Sequence, residues 1–378
     1  MKMLSRLKNN LKNIPGWNTT KRIVVIESDD WGSIRMPSNI VYNKLLKKGI
    51  GVNNDLFCRY DSLATKTDLE VLFDALCSVK DKNGKNVVLT ADTVMANPDF
   101  EKIEQSDFKE YHYELFTETL SKSVEHKGAF AMWETGIKEN IFHPQFHGRE
   151  HLNIDKWLCA LQNNEYVTKL AFNYKTFGLS VNASDSIEGD YMGAFNSSVE
   201  SDIDNYKLIL NEGLDIFESI FKFRSKSFIA TTYTWSPKIE PILKMNGVDY
   251  LQGLVTQRIP LDSGTTFKYQ NGNFQGKKNK YNQIYLTRNC FFEPAHFRDK
   301  FDVVDECLSR IDSAFRWGKA AVISSHRLNF IGSIDEANRT KNIQLFRKLL
   351  KAIVHKWPDV EFMTSDKLGD IIKKDYYD

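Results

Sequence analysis

Three observations on the sequence predict an α/β fold built on a parallel sheet, open or closed into a barrel. Short apolar runs bounded by turn residues alternate with segments of 3.6-residue periodicity, the pattern of strand–helix–strand units. The composition is that of a folded globular chain, with 42% hydrophobic and 26% charged residues. The length of 378 residues is large for one domain, but α/β barrels commonly stay single at this size.

The strand-like runs lie at 22–27 (RIVVIE), 86–90 (NVVLT), 227–231 (SFIAT), 249–252 (DYLQ), 283–287 (QIYLT), 320–324 (AAVIS) and 360–364 (VEFMT). Helical periodicity marks 68–79, 154–161, 202–221, 237–244, 303–315 and 343–355. Ser236 followed by Pro237 reads as a helix cap and first helical position. A plain (β/α) barrel takes about 250 residues, so three stretches are expected to be insertions: about 96–140, 172–201 and the Gly/Asn/Lys-rich 262–282. No linker divides the chain, which is expected to hold a short N-terminal basic helix at 1–20 and one domain over 21–378.

Lys and Arg number 51 against 49 Asp and Glu. That balance excludes a nucleic-acid binder held by bulk positive charge. Five cysteines with no CxxC pair argue against a disulfide framework and for a reducing, cytoplasmic setting. The first residues, MKMLSRLKNNLKNIPGW, lack the apolar core of a secretory signal. Leu4, Leu7, Leu11 and Ile14 share one helical face beside Lys2, Arg6, Lys8 and Lys12, so residues 1–15 are expected either to pack across the fold or to touch a membrane surface weakly.

Three places can carry chemistry. Asp29 and Asp30 follow the first apolar run, with Trp31 and the turn-forming Gly32 after them. Side chains alternate along a strand, so adjacent carboxylates serve one site only where the strand ends and the chain turns. Turn formation and helix capping are the alternative reading of this Asp pair. His143 and His147 in HPQFH are four apart; on a helical turn begun by Pro144 both imidazoles would share one metal, and otherwise they are surface or core histidines. His151 makes three histidines within nine residues. His326 ends the run AAVISSH, where it is either a general acid/base or a loop histidine held by hydrogen bonds.

Together these features resemble the polysaccharide deacetylase (NodB-homology) family. ESDDWG is similar to its first motif, TFDDG; HPQFH to its second, H-[ST]-x-x-H, with Pro144 replacing Ser/Thr; and AVISSHR to its last, an apolar strand ending in His. The motifs occur in family order over 22–327. The resemblance implies a distorted (β/α) barrel of about seven strands with insertions. It also implies a metal-dependent hydrolase in which Asp29 is the general base, Asp30, His143 and His147 hold the metal, and His326 is the general acid. Zinc suits a redox-silent Lewis acid, and cobalt, nickel or iron tolerate the same ligands. The family's R-x-P-[FY] segment should fall near Tyr233, but its Arg and Pro are missing. Arg288, or else Arg149, is then expected to support the base. Glu293 stands near the place of the family's D-x-x-D-W segment, and Arg288 and Glu293 could instead form a structural ion pair. Tyr233 and Trp31 are expected at the substrate.

The expected activity is removal of an N-acetyl group from an acetylated sugar or glycan precursor. An O-acetyl esterase or other amidase would use the same site. A catalytically silent carbohydrate-binding barrel is the competing class.

Overall fold

The computed structural model describes residues 10–180, 182–183 and 191–376. Nine strands form one sheet: β1 (Ile23–Trp31), β2 (Leu89–Thr93), β3 (Phe142–Phe146), β4 (Ser227–Ile229), β5 (Tyr250–Gly253), β6 (Ile284–Thr287), β7 (Cys290–Phe291), β8 (Ala321–His326) and β9 (Glu361–Phe362). The hydrogen-bonded order is β6-β5-β4-β3-β2-β1-β8-β7, with β9 also on β1, and every pairing is parallel.

Parallel neighbours need crossover connections. The main ones are α1 (Lys66–Leu76), α2 (Ala129–Lys138), α3 (Glu200–Phe221), α4 (Val303–Arg316) and α5 (Glu336–Lys356). Local chemistry starts several of them: Thr65 and Asp68 form a reciprocal capping box on α1, and Asp302 and Asp335 cap α4 and α5.

All seven runs read from the sequence contribute a strand. Two strands were not anticipated. β7 is only two residues long, too short for a periodicity signal. β3 contains HPQF, expected as a helical turn; it is extended because Phe142 and Phe146 are buried while the chain pairs with β2 from Leu89↔Phe142 to Thr93↔Phe146. Of the expected insertions, 96–140 holds a short hairpin (Ala96–Pro98 with Tyr113–Leu115) but also the crossover helix α2. Much of 262–282 continues a hairpin of Thr256–Pro260 with Phe267–Asn271. Part of 172–201, like residues 1–9 of the N-terminal helix, lies outside the described residues.

The alternation in β1 organises the interior. Val24 and Ile26 join the large apolar cluster beneath the helices, whereas Ile23 and Val25 join a smaller one with Trp17, Tyr250, Ile284, Leu286 and Val322. α6 (Ser365–Asp375) supplies Leu368 and Ile372 to that smaller cluster. A Cβ on Gly369 would lie 2.5 Å from the Tyr250 ring, so glycine permits this close helix approach. Continuing along the same strand face, Ile23 and Val25 give way to Glu27 and Asp29, both buried. The interior is thus apolar at the strands' N-terminal end and ionic toward their C-terminal end.

The two ends of the sheet are consecutive in the chain, since only Arg288 and Asn289 separate β6 from β7. The Arg288 amide donates to the Gly253 carbonyl of β5 at 2.8 Å, and the Asn289 amide to the Val322 carbonyl of β8 at 3.2 Å.

Candidate metal and acid–base site

β1 ends in a backbone irregularity that settles how two adjacent aspartates face one site. Its pairing with β2 shifts register between Ser28 and Trp31. Asp30 adopts φ +75°, a left-handed conformation rare for a non-glycine residue. The flip cancels the strict alternation, and both carboxylates line the same cleft of about 280 Å³ with Arg35, Asp55, Phe57, His147 and His151. Tyr233 and His326 also line it.

On one side lie Asp30, His147 and His151, all buried, with one ligand atom from each within 4.8 Å of the others. Asp30 Oδ1 is 3.1 Å from His151 Nε2 and 3.6 Å from His147 Nε2. His147 Nδ1 lies 2.9 Å from the Ile229 carbonyl, so it carries the proton and donates there. That fixes the tautomer with Nε2 as the lone-pair atom. His147 Nε2 is buried with no hydrogen-bond partner among the described residues. Burial and the nearby Arg35 guanidinium lower the His151 pKa to about 4, so its ring is neutral at pH 7. For Asp30, burial works against ionisation, but Arg35 and the two imidazoles outweigh it and hold the carboxyl well below the usual range. Two imidazoles and one carboxylate, converging on a buried point with an unpartnered nitrogen, fit a divalent cation with open positions left for water.

On the other side is an ionic cluster centred on Arg288, whose side chain is fully buried. Its Nη1 and Nη2 donate to Asp29 Oδ2 and Oδ1, each at 2.6 Å. Its Nε donates to Glu27 Oε2 at 2.5 Å, and Nη2 also to Asp92 Oδ2 at 2.9 Å. Nη1 further reaches the Tyr233 hydroxyl at 2.7 Å. Burial alone would raise the Asp29 pKa, but the guanidinium fork more than reverses this. Asp92 goes the other way: burial and the neighbouring Asp29 charge push it well above the usual range. The register Asp29↔His326 sets the imidazole beside the carboxylate, 3.7 Å from Nε2 to Oδ2. His326 Nδ1 meets Glu293 Oε1 at 2.6 Å, and Asn329 holds the other Glu293 oxygen at 2.7 Å. Burial would depress the His326 pKa, but Glu293 lifts it to about 10.

The structure therefore brings together Asp29, Asp30, His147, His326, Arg288, Tyr233 and Glu293, and it corrects four expectations. His143 is not with the metal-type ligands. It is the second residue of β3, at about 3.3 Å per residue some 13 Å from His147, with Nε2 3.3 Å from Asp366 and its ring stacked on Phe223. His151 takes its place, because His147 follows the last strand residue, Phe146, and Gly148, at φ +119°, turns the chain so that the next histidine folds back. Arg149 does not support Asp29; it pairs with Glu150 and Glu212 and lies over the Tyr113 ring. Trp31 is core rather than substrate surface, 1% exposed and edge-on to Trp133 and Phe142. Arg288 and Glu293 do not form an ion pair: Arg288 holds the Asp29 carboxylate and Glu293 the His326 imidazole.

The sequence reading also missed Glu27, Arg35 and Asp92. His151 alone left a usable signal, a second i, i+4 spacing (HGREH) overlapping the first.

Fold and site together define an α/β protein with a two-histidine, one-carboxylate cluster beside a carboxylate–imidazole pair. Solved structures similar to this chain include proteins assigned as polysaccharide deacetylases. One from Mycobacterium smegmatis has 11% identity and a TM-score of 0.47, covering 96% of this chain and 94% of that one. Another, from Pseudomonas aeruginosa, has 9% identity and a TM-score of 0.44, covering 93% and 91%. The Puue allantoinase is also similar, at 10% identity and a TM-score of 0.42, covering 94% and 91%. No protein-family model matches the sequence, and no curated protein matches it.

Proposed function

We propose that the protein is a metal-dependent hydrolase that removes an N-acetyl group from an acetylated carbohydrate. One observation carries this reading: the buried Asp30–His147–His151 cluster shares a cleft with Asp29, which is gripped by Arg288, and with His326, which is gripped by Glu293. A cation held by Asp30, His147 and His151, zinc being the simplest choice, supplies an acidified water and polarises the acetyl carbonyl.

The chain's own residues do the rest. Asp29 accepts the water proton. A carboxylate held so low takes a proton only from a water already made acidic, which matches its place beside the ligand cluster. His326, kept as imidazolium by Glu293, donates its proton to the departing nitrogen as the C–N bond breaks, giving acetate and a free amine. The Arg288 fork fixes Asp29, and Phe57, edge-on to His326 at 5.5 Å, limits water around the imidazole. Arg288 thus stands in for the arginine missing from the middle motif near Tyr233, which disfavours a silent carbohydrate-binding barrel.

We read the sheet as a distorted barrel whose seam is Arg288–Asn289, supported by the amides that join β5 and β8 across those two residues, and residues 21–378 as one domain. A cytoplasmic setting agrees with five free cysteines, and no described helix is long and apolar enough to cross a membrane.

The direct test is acetate release from chitooligosaccharides with and without a chelator, followed by metal addition. Asp29→Asn should keep the metal and lose about 10²–10⁴-fold in activity; Asp30→Asn should lose the metal. Acetate release unaffected by chelation and by both substitutions would refute the reading. Release from O-acetylated but not N-acetylated sugars would reassign it as an esterase.

A further inference from the structure

The Asp30 carboxylate is divided between two neighbours. Both ligand-type imidazole nitrogens face Oδ1, at 3.1 and 3.6 Å, whereas Oδ2 lies 3.2 Å from Arg35 Nη2. Arg35 is only 6% exposed and is anchored from behind. Its Nε lies 3.7 Å from Asp61 Oδ2, and Asp61, fully buried, is clasped through both oxygens by Arg327 at 2.9 and 3.0 Å. Its guanidinium carbon sits 5.0 Å from the Phe57 ring centroid, over the ring that also meets His326. A buried chain Asp30–Arg35–Asp61–Arg327 thus ends on one oxygen of the ligand carboxylate.

We propose that Arg35 is a positioning residue that reserves Asp30 Oδ2, so that Asp30 offers a metal one oxygen rather than two. The inference rests on the metal-hydrolase reading and deepens it. A free carboxylate can bind a cation through both oxygens and fill a position that water or substrate would otherwise take. With Oδ2 engaged by a charge-assisted hydrogen bond, the chain contributes three donor atoms, two Nε2 and one Oδ1, the count typical of open hydrolytic sites. The Asp61–Arg327 pair gives the arrangement stiffness, because Arg35 cannot swing away without leaving Asp61 facing one arginine fewer in a dry interior. Partners of this outer kind typically change metal affinity or activity about 10–100-fold when removed.

The test uses the full-length protein loaded with cobalt. X-ray absorption on the unmutated protein should show one-oxygen carboxylate coordination, and two-oxygen coordination there would overturn the inference without any variant. Arg35→Gln should keep its metal, shift to two-oxygen coordination, change the visible cobalt spectrum and lose about 10–100-fold in kcat with a smaller change in KM. An unchanged spectrum and kcat in folded Arg35→Gln would equally overturn it. Failure of the unmutated protein to bind cobalt at all would instead overturn the metal reading beneath it.

Discussion

Replacing Arg288 by Met removes the one cation that Glu27, Asp29 and Asp92 share. All three carboxylates and the guanidinium are buried. Stripping one partner from such a cluster costs about 3–5 kcal/mol. Unfolding entropy of about 2.1 cal/mol/K per residue, over 378 residues, gives about 0.8 kcal/mol/K, so the melting temperature at pH 7 should fall by about 4–6 °C. The pH dependence is the more specific consequence. In the unmutated protein Asp29 is depressed, so its stabilising share is present above the ordinary carboxylate pKa and is lost as pH falls through the folded value. Asp92 is raised, so its share favours the folded state more as pH falls toward the ordinary carboxylate pKa. In Arg288→Met the main opposition to burial at Asp29 is gone and only weaker charges such as His326 remain, so its pKa rises and the folded state binds more protons on acidification. Each extra proton adds about 1.4 kcal/mol of stability per pH unit on acidification, or about 2 °C per unit. Melting curves from pH 7 to pH 5 on both proteins check this. Parallel slopes, or a loss under 1 °C at pH 7, would refute the claim that Arg288 sets the charge state of Asp29.

Glu293→Gln should let the His326 pKa fall from about 10 toward its ordinary value, moving the alkaline limb of kcat down with it. His326 pairing stabilises the fold below about pH 6.5 and is lost as pH rises through about 10, so the variant should lose that stabilisation at neutral pH; imidazole titration by NMR decides. Asp92→Asn keeps an acceptor for Arg288 and should be nearly silent in urea midpoint. Asp92→Leu leaves N–H groups of Arg288 and Gln252 unpartnered, at about 1–3 kcal/mol each; equal losses would show that Asp92 is carried as a charge. Leu11 and Ile14 are 55% and 46% exposed, and sedimentation with anionic liposomes should show weak binding that disappears when residues 1–15 are removed; no binding by the full chain ends the membrane-surface proposal.

The strands were legible because β1, β2, β4, β5, β6, β8 and β9 announce themselves as apolar runs between turn residues. β3 did not, since the polar His143 and Gln145 break its apolar run; Gln145 is buried and accepts hydrogen bonds from Ser225 and Ser227, and His143 is half-buried beside Asp366, all far along the chain. That local misreading propagated into the site. A spacing of four brings two histidines together on a helix and separates them on a strand, so HPQFH, singled out by its likeness to the family's second motif, is split along β3, whereas HGREH spans the turn after it. Asp29, Asp30 and His326 were found because strand ends are visible in sequence. Asp92 and Arg35 were invisible, as their roles exist only through partners brought together by the fold.

The measurement that bears most directly on the central claim is bound metal per chain, by elemental analysis, in the unmutated protein and in His143→Ala and His151→Ala prepared alongside it. The unmutated protein and His143→Ala should each carry close to one divalent ion, and His151→Ala should carry little. Retention of metal by His151→Ala with loss from His143→Ala, or an unmutated protein that takes up no ion, would contradict the assignment of Asp30, His147 and His151 as the metal centre.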